Sequence, residues 1–511
     1  FQSTLTLDGV VTNEKDDYDP FGHRQIEHPN SDAGSLIHLL KSSLGSGILA
    51  MPNAFKNAGL VLGTIGTLVI GFVCTHCVHV LVTISHEVCK IAKVPSMDFA
   101  QTCGATFEYG PKALRPWANA FRTFVDWALV CTYLGASCVY VVLIADSFHE
   151  VVSEYYPDDN WDVKVYCALL LVPLVGLGQI RNLKYLVPFS LLANVFLLIT
   201  LGITMFYIFQ DIPPAGDKTL FAPIATFPLF VSTVIFAMEG IGVVMPVENE
   251  MRNPGHFLGC PGVLNIAMSV VVTLYTIIGF FGYLRFGEDV KGSITATLKN
   301  EPAQIAKAMI GLAILFTYGL QLYVPFDIIF KKLEPKIQEK YINITHIGLR
   351  TLIVILAVAA AVPKLDILIS LVGAIFFSTL GLLVPAIAET VHHWERGLGK
   401  WNWMLYKNFC IGLFSIVALV SGSYQSISQL NVQNTEIILM FLQGFFKNNV
   451  IKVYCLRIVY AFNCTHATEI AYNQAHSKSN IFIMFYTYII FIYLPSYYFF
   501  MLTPYRRPSG K

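Results

Sequence analysis

Two short stretches of this chain set glycine, proline and polar residues at spacings that could do chemistry. The first is Leu36–Pro52, LIHLLKSSLGSGILAMP, with Gly45, Ser46 and Gly47 together, Ile48 next and Pro52 a few residues on. The second is Phe236–Pro246, FAMEGIGVVMP, with Glu239 just ahead of Gly240, Ile241, Gly242 and Pro246. Glycine has no Cβ, so the chain can unwind there and a ligand can approach the backbone. A helix interrupted in this way frees N–H and C=O groups. The N-terminal end of the following half-helix carries partial positive charge and suits a carboxylate. The opposing end offers carbonyls to an ammonium group. A zwitterion fits both, so Gly45, Ser46, Gly47, Ile48, Glu239, Gly240, Ile241 and Gly242 are the candidate ligand-binding residues. Glu239 could take up a proton or cap freed N–H groups. His38 lies seven residues before Gly45, about two helical turns. An imidazole titrates near pH 6.5, so His38 is the candidate proton-coupling residue.

Residues of this kind need long helices to hold them. Of 511 residues, 55% are hydrophobic and 13% charged, against about 25% charged in soluble domains. The mean hydropathy is +0.58. Nine runs of at least 19 residues lack Asp, Glu, Lys and Arg: 57–86, 127–145, 185–210, 219–238, 253–284, 308–326, 367–388, 408–435 and 479–505. Shorter runs are 42–55, 165–180 and 351–363. A bilayer core of about 30 Å takes roughly 20 apolar residues of helix. Backbone groups in lipid must be satisfied within the segment, so these runs are expected to be helices. The expectation is an all-α membrane protein with eleven spans up to Tyr424. A doubtful twelfth span follows in the Tyr/Phe/Ile-rich run Ile481–Leu502.

The two Gly/Pro stretches stand in related places. Gly45 and Gly240 are 195 residues apart, with five spans in the interval. Five is odd, so a second five-span unit would enter the bilayer upside down. A matched pair of interrupted spans is the sequence pointer to a secondary transporter built from inverted repeats. In the bilayer, the freed backbone groups must line a cavity and meet a ligand. With the N-terminus in the cytosol, thirteen Lys/Arg, among them Lys90, Lys331, Lys332 and Lys336, fall on inner loops and seven, among them Lys56 and Arg285, on outer ones. The bias favours that orientation. The domain reading is a disordered cytosolic tail over 1–33, a transmembrane domain over 34–430 and an atypical extension over 431–511.

Several classes are excluded or disfavoured. Lys+Arg (34) and Asp+Glu (33) nearly balance, so no basic field points to nucleic acid. There is no GxxxxGK[ST] loop for ATP-driven pumping, and no nucleophile–base constellation of an enzyme. Cys74-Thr75-His76-Cys77-Val78-His79 superficially resembles a metal site. It falls at the end of an uninterrupted apolar run with no acidic shell nearby, so packing at a helix end is the better reading. No metal or organic cofactor is expected, and the lipid bilayer is the expected surround. No oligomeric state is assigned. Asp126, Asp146 and Asp327 are read as span boundaries, and Tyr133, Tyr318 and Tyr323 as packing or cavity residues. The sequon at Asn343 falls on the cytosolic side of this topology and is expected to be unmodified.

The same segments carry a family likeness. His38–Pro52 with Lys56-Asn57-Ala58-Gly59, Phe236–Pro254, Gln321–Pro325 (QLYVP) and Pro363–Gly373 (PKLDILISLVG) resemble segments of the proton-coupled amino acid transporters. The likeness spans about residues 34–430. It implies the leucine-transporter-like fold, a 5+5 inverted repeat with helices 1 and 6 discontinuous. It also implies symport of small neutral amino acids (glycine, alanine, proline) with protons, at the plasma membrane or on lysosomes or vacuoles. In the family the histidine at the position of His38 is implicated in proton coupling. Antiport, vesicular or vacuolar carriage, and an endolysosomal nutrient sensor are the alternatives.

Overall fold

A computed structural model describes residues 18–24, 26, 29–156, 161–181, 183–210, 212–214, 216, 218–238, 240–298, 301–361 and 364–429. Glu239 and the residues from 430 onward, with the suspected twelfth span, lie outside the described residues. So do most of the 1–33 tail, and Pro363.

The regular structure of the described residues is helical, with no strand beyond an isolated bridge, Asn30 with Met251. In chain order the α-helices are α1 (Asp32–Ser43), α2 (Ser46–Ala58), α3 (Leu60–Ala92), α4 (Phe99–Glu108), α5 (Ala118–Tyr155), α6 (Val163–Leu169), α7 (Leu171–Gly178), α8 (Leu183–Ile208), α9 (Phe227–Ala237), α10 (Ile241–Asn249), α11 (Val263–Phe286), α12 (Ile294–Thr297), α13 (Glu301–Leu333), α14 (Ile342–Ala359), α15 (Leu365–Val372), α16 (Val384–His393) and α17 (Trp403–Gln429). Two π-helical turns, Gly373–Phe377 and Thr379–Leu383, join α15 to α16. Nine helical stretches among the described residues are long and apolar enough to cross a membrane, with α9 and α10 taken together as one of them. Large apolar side chains such as Phe72, Val172, Leu198, Phe206, Leu352 and Phe409 point outward, as a hydrocarbon surround requires.

Several uncharged runs do not coincide with helices. The run 219–238 holds a loop and the 3-10 turn Ile224–Thr226 before α9 starts at Phe227, with Pro228 in its first turn. Proline is favoured there because its missing N–H would have had no helical partner. The run 253–284 holds a loop with Pro254, Gly255, Gly259, Pro261 and Gly262 before α11 begins at Val263. Conversely, α5 continues well beyond 127–145 at both ends. It carries Asp126, whose carboxylate meets Lys332 at 2.6 Å. An apolar run measures what lipid tolerates, whereas helix ends are set by proline, glycine and caps. Two short helices were not anticipated: α12 and α4, the latter opened by a capping box between Asp98 and Gln101.

The connections gather at two ends. One end holds the described residues of the tail, the α3–α4 loop and the α10–α11 loop, where Arg24 donates to the Pro95 carbonyl and Asn249 to the Met97 carbonyl. The other holds Lys56 beside Glu288, and Leu60, Val61 and Ala222 in backbone hydrogen bonds that tie the α2–α3 turn to residues 219–222.

Candidate functional site

The first helix ends at Ser43, and the backbone leaves helical geometry at Leu44 and Gly45 before α2 starts at Ser46. The second break runs from Met238 to Gly240, between α9 and α10. Both fall at the glycines, whereas Pro52 and Pro246 lie inside the half-helices that follow. Neither α2 nor α10 has a side-chain cap at its N-terminus; Gly45 and Gly240 hold the two N-cap positions. The first amides of each half-helix therefore lack an intrahelical acceptor.

The two breaks touch. A Cβ added at Gly47 would lie 2.6 Å from the Cα of Ala237, so α2 rests backbone-to-backbone against α9. A Cβ at Gly240 would reach the Ser43 hydroxyl oxygen at 3.5 Å. Behind both sits Tyr275 of α11, fully buried. Its hydroxyl donates to the carbonyl of Ser43 and lies 3.0 Å from that of Ala237. These are the last residues of α1 and α9, whose C-terminal ends carry partial negative charge. One phenol thus ties the two negative half-helix ends together.

A narrow cavity of about 30 Å³ opens at this junction. Its wall includes Leu39 and Ser43 of α1, Met238 and Gly240 of the second break, Cys74 and Val78 of α3, Phe377 and Gly381 of the π-helical turns, and Met268 of α11. Departures from regular helix recur at functional sites because they re-aim backbone groups. Here two breaks and two π-helical turns face one space.

The candidate residues are distributed unevenly around it. Gly240 lines the cavity. Ser46, Gly47 and Ile48 are buried in the first turn of α2. Gly242 is packed by protein, since a Cβ there would collide with the Tyr133 hydroxyl. Gly45 has room, with only the Ser42 carbonyl near, at 3.9 Å. Ile241 opens α10. His38 is exposed on α1, on a different side from the cavity-lining Leu39 and Ser43. The sequence reading missed Ser43, Tyr275 and the π-helical turns. Only Ser43, two residues from Gly45, stood close enough to a flagged motif to be found.

The end that holds the tail is closed by a buried ionic cluster. Arg24 reaches Glu248, near the end of α10, through both terminal nitrogens, at 3.0 and 3.3 Å. His86 of α3 approaches the same carboxylate at 2.8 Å. The Glu248 side chain is fully buried. A paired backbone link, Asn30 to Glu250 and Arg252 to Asn30, joins the tail to the α10–α11 loop.

Among the described residues, helices long enough to span a membrane, two helix breaks in contact and a cavity at their junction are the architecture of carriers that bind a solute inside the bilayer. Residues 29–428 match the family model described as transmembrane amino acid transporter protein, and the chain belongs to that family. It is 42% identical over 418 residues to the Drosophila melanogaster proton-coupled amino acid transporter-like protein pathetic, covering 81% of this chain and 88% of that protein. It is 26% identical over 445 residues to the Caenorhabditis elegans probable amino acid transporter skat-1, covering 82% and 96%. Among solved structures it is similar in fold to MhsT, crystallised in complex with L-phenylalanine. The TM-score is 0.50 at 15% identity, over 78% of this chain and all of that one. The chain is a multi-pass membrane transporter and not an enzyme.

Proposed function

We propose that the protein is a secondary transporter of small neutral amino acids, of the glycine, alanine and proline class, driven by proton symport. The observation that carries this reading is a cavity lined by Ser43 at the C-terminal end of α1 and by Met238 and Gly240 at the second break, where the uncapped α10 begins, with the uncapped start of α2 packed against Ala237 beside it. The amides suit a substrate carboxylate, and the Ser43 and Ala237 carbonyls suit its ammonium. The apolar wall and the small volume suit a small, uncharged side chain. With α1–α2 and the α6–α7 pair counted as crossings beside the nine longer stretches, the protein has eleven spans in a leucine-transporter-like 5+5 arrangement. The tail end then faces the cytosol, and the Arg24–Glu248–His86 cluster closes the cavity from that side. Entry and exit occur by rocking one helix group against the other. The membrane is the plasma membrane or that of a lysosome or vacuole.

Gly45, Ser46, Gly47, Ile48, Glu239, Gly240, Ile241 and Gly242 form the substrate contact in this reading. Proton coupling is assigned to His38, whose exposure gives a proton access to it and whose helix carries Ser43 to the first break. The test is uptake of labelled alanine into vesicles at external pH 5.5 and 7.5. Acid-stimulated accumulation is expected, and His38→Ala should flatten the pH response. Uptake indifferent to pH in the unmodified protein would sink symport. An unchanged profile in the variant would remove His38 from it.

A further inference from the structure

The Cys74–His79 motif does not lie at a helix end, because α3 continues through it to Ala92. Cys74 and Val78 line the cavity, and His76, between them, turns toward α16 and α17. Its Nε2 lies 2.9 Å from the Lys407 ammonium. Lys407 also donates to a Glu389 carboxylate oxygen at 2.8 Å, and Glu389 is 7% exposed. An ammonium has no lone pair, so His76 accepts through Nε2 and keeps its own proton on Nδ1. The triad is therefore His76 neutral, Lys407 positive and Glu389 negative.

A second group lies a turn further along α16. His392 is 2.6 Å from Glu87 through Nε2, and the Arg396 guanidinium lies 3.0 Å from its Nδ1. Arginine only donates, so Nδ1 accepts and Nε2 gives its proton to Glu87. Glu87, His392 and His393 hold their ligand atoms within 4.8 Å of one another. The fixed positive charge of Arg396 beside them suits a proton network better than a metal ion. Gly381, in the second π-helical turn, lines the cavity, and Glu389 follows eight residues on in α16. The carboxylate therefore stands two turns from the cavity wall, on the way to the end that the tail occupies.

We propose that Glu389 carries protons from the cavity toward that end, with Lys407 and His76 holding its charge, His393 and Glu87 passing the proton on, and His392 orienting the Glu87 carboxylate. The proposal rests on the symport reading. A proton from the cavity bonds to a Glu389 carboxylate oxygen, which takes the triad from zero to plus one. That O–H bond breaks as the proton passes to the neutral ring of His393, one turn on, and from there to the half-exposed Glu87, whose carboxylate lies within 4.8 Å of it, and to water. The carboxylate is restored, and no electron changes hands. Ionisable groups inside a membrane domain are costly and persist where they have partners and a task. The other titratable groups around the relay are His79, Cys74 and Cys77 on α3, Arg396 after α16, and Cys103 and Glu108 on the adjoining α4.

The test uses the full chain in liposomes with an internal pH dye and labelled alanine. Glutamine mimics a protonated carboxyl but cannot release a proton. Glu389→Gln should therefore lower proton-driven alanine accumulation at least tenfold and abolish the dye response. Alanine-for-alanine exchange, which needs no net proton release, should stay within twofold. Because Glu389→Gln leaves Lys407 without its carboxylate, Glu389→Gln with Lys407→Gln is measured beside it, with the same expectation. Accumulation that survives in both variants overturns the proposal, and so does exchange that falls in parallel with accumulation. A dye that stays silent in the unmodified protein sinks the symport reading itself, and the relay with it. Coupling intact in the unmodified protein and in Glu389→Gln sinks the relay alone.

Discussion

The Tyr275 hydroxyl is the smallest group whose removal tests the site. Tyr275→Phe deletes one oxygen from a fully buried ring and keeps the packing. It leaves the carbonyls of Ser43 and Ala237 without this donor. A net hydrogen bond contributes about 1 kcal/mol, and a buried acceptor left unpaired costs about 1–3 kcal/mol. About 2 kcal/mol is a fair central value, and it falls on the arrangement that holds the two half-helix ends together. If that arrangement binds the substrate, the variant must regather the ends on binding. Its apparent affinity then drops by about thirty-fold. The assay is equilibrium binding of labelled alanine to the purified protein in nanodiscs, with thermal melting in parallel. Binding within twofold of the unmodified protein would refute the reasoning. So would a lowered melting temperature with unchanged affinity, because Tyr275 would then support the fold and not the site.

The break glycines should separate by their surroundings. Gly47→Ala drives a methyl into Ala237 at 2.6 Å and should lose about 1–3 kcal/mol, read as lower melting and lost uptake, whereas Gly45→Ala should fold normally. Equal melting of the two would contradict the close approach of α2 to α9. At the tail end, Arg24→Ala removes one partner of a buried pair, a change that costs about 3–5 kcal/mol where the other charge stays buried. The tail should then loosen, and Cys89, 1% exposed on α3, should react with maleimide at least several-fold faster. Unchanged labelling would show that Arg24 does not hold this end closed.

The breaks were legible in the sequence because their cause is local. Glycine and proline act on the residues beside them, so Gly45 and Gly240 place the interruptions without knowledge of the fold. The number of apolar helices was nearly legible for a similar reason, since lipid imposes its rule on each segment alone. Boundaries failed where that rule is silent, as at 219–226 and 253–262, where uncharged loops read like helix. The closure of the tail end was illegible. Arg24 and His86 stand 224 and 162 residues from Glu248, and nothing in the local pattern pairs them.

His76 shows what kind of information the chain withholds. On its own segment it is a histidine in an apolar run beside two cysteines, and packing is the sensible reading. Its meaning comes from Lys407, 331 residues away, and from Glu389, which shares that lysine. Each of the three alone would be a costly charge or a stray polar group. Together they form a neutral set with a spare acceptor, which takes up a proton at the cost of one net positive charge and returns to neutrality on releasing it. The same logic holds at the centre. Tyr275 is one of 25 tyrosines, unremarked until two helix ends meet at its hydroxyl. In this protein the breaks are written locally, while the groups that would give them a direction and a driving force are defined only by distant partners. Exchange and accumulation measured on Glu389→Gln, beside binding measured on Tyr275→Phe, therefore probe two separable layers of one machine.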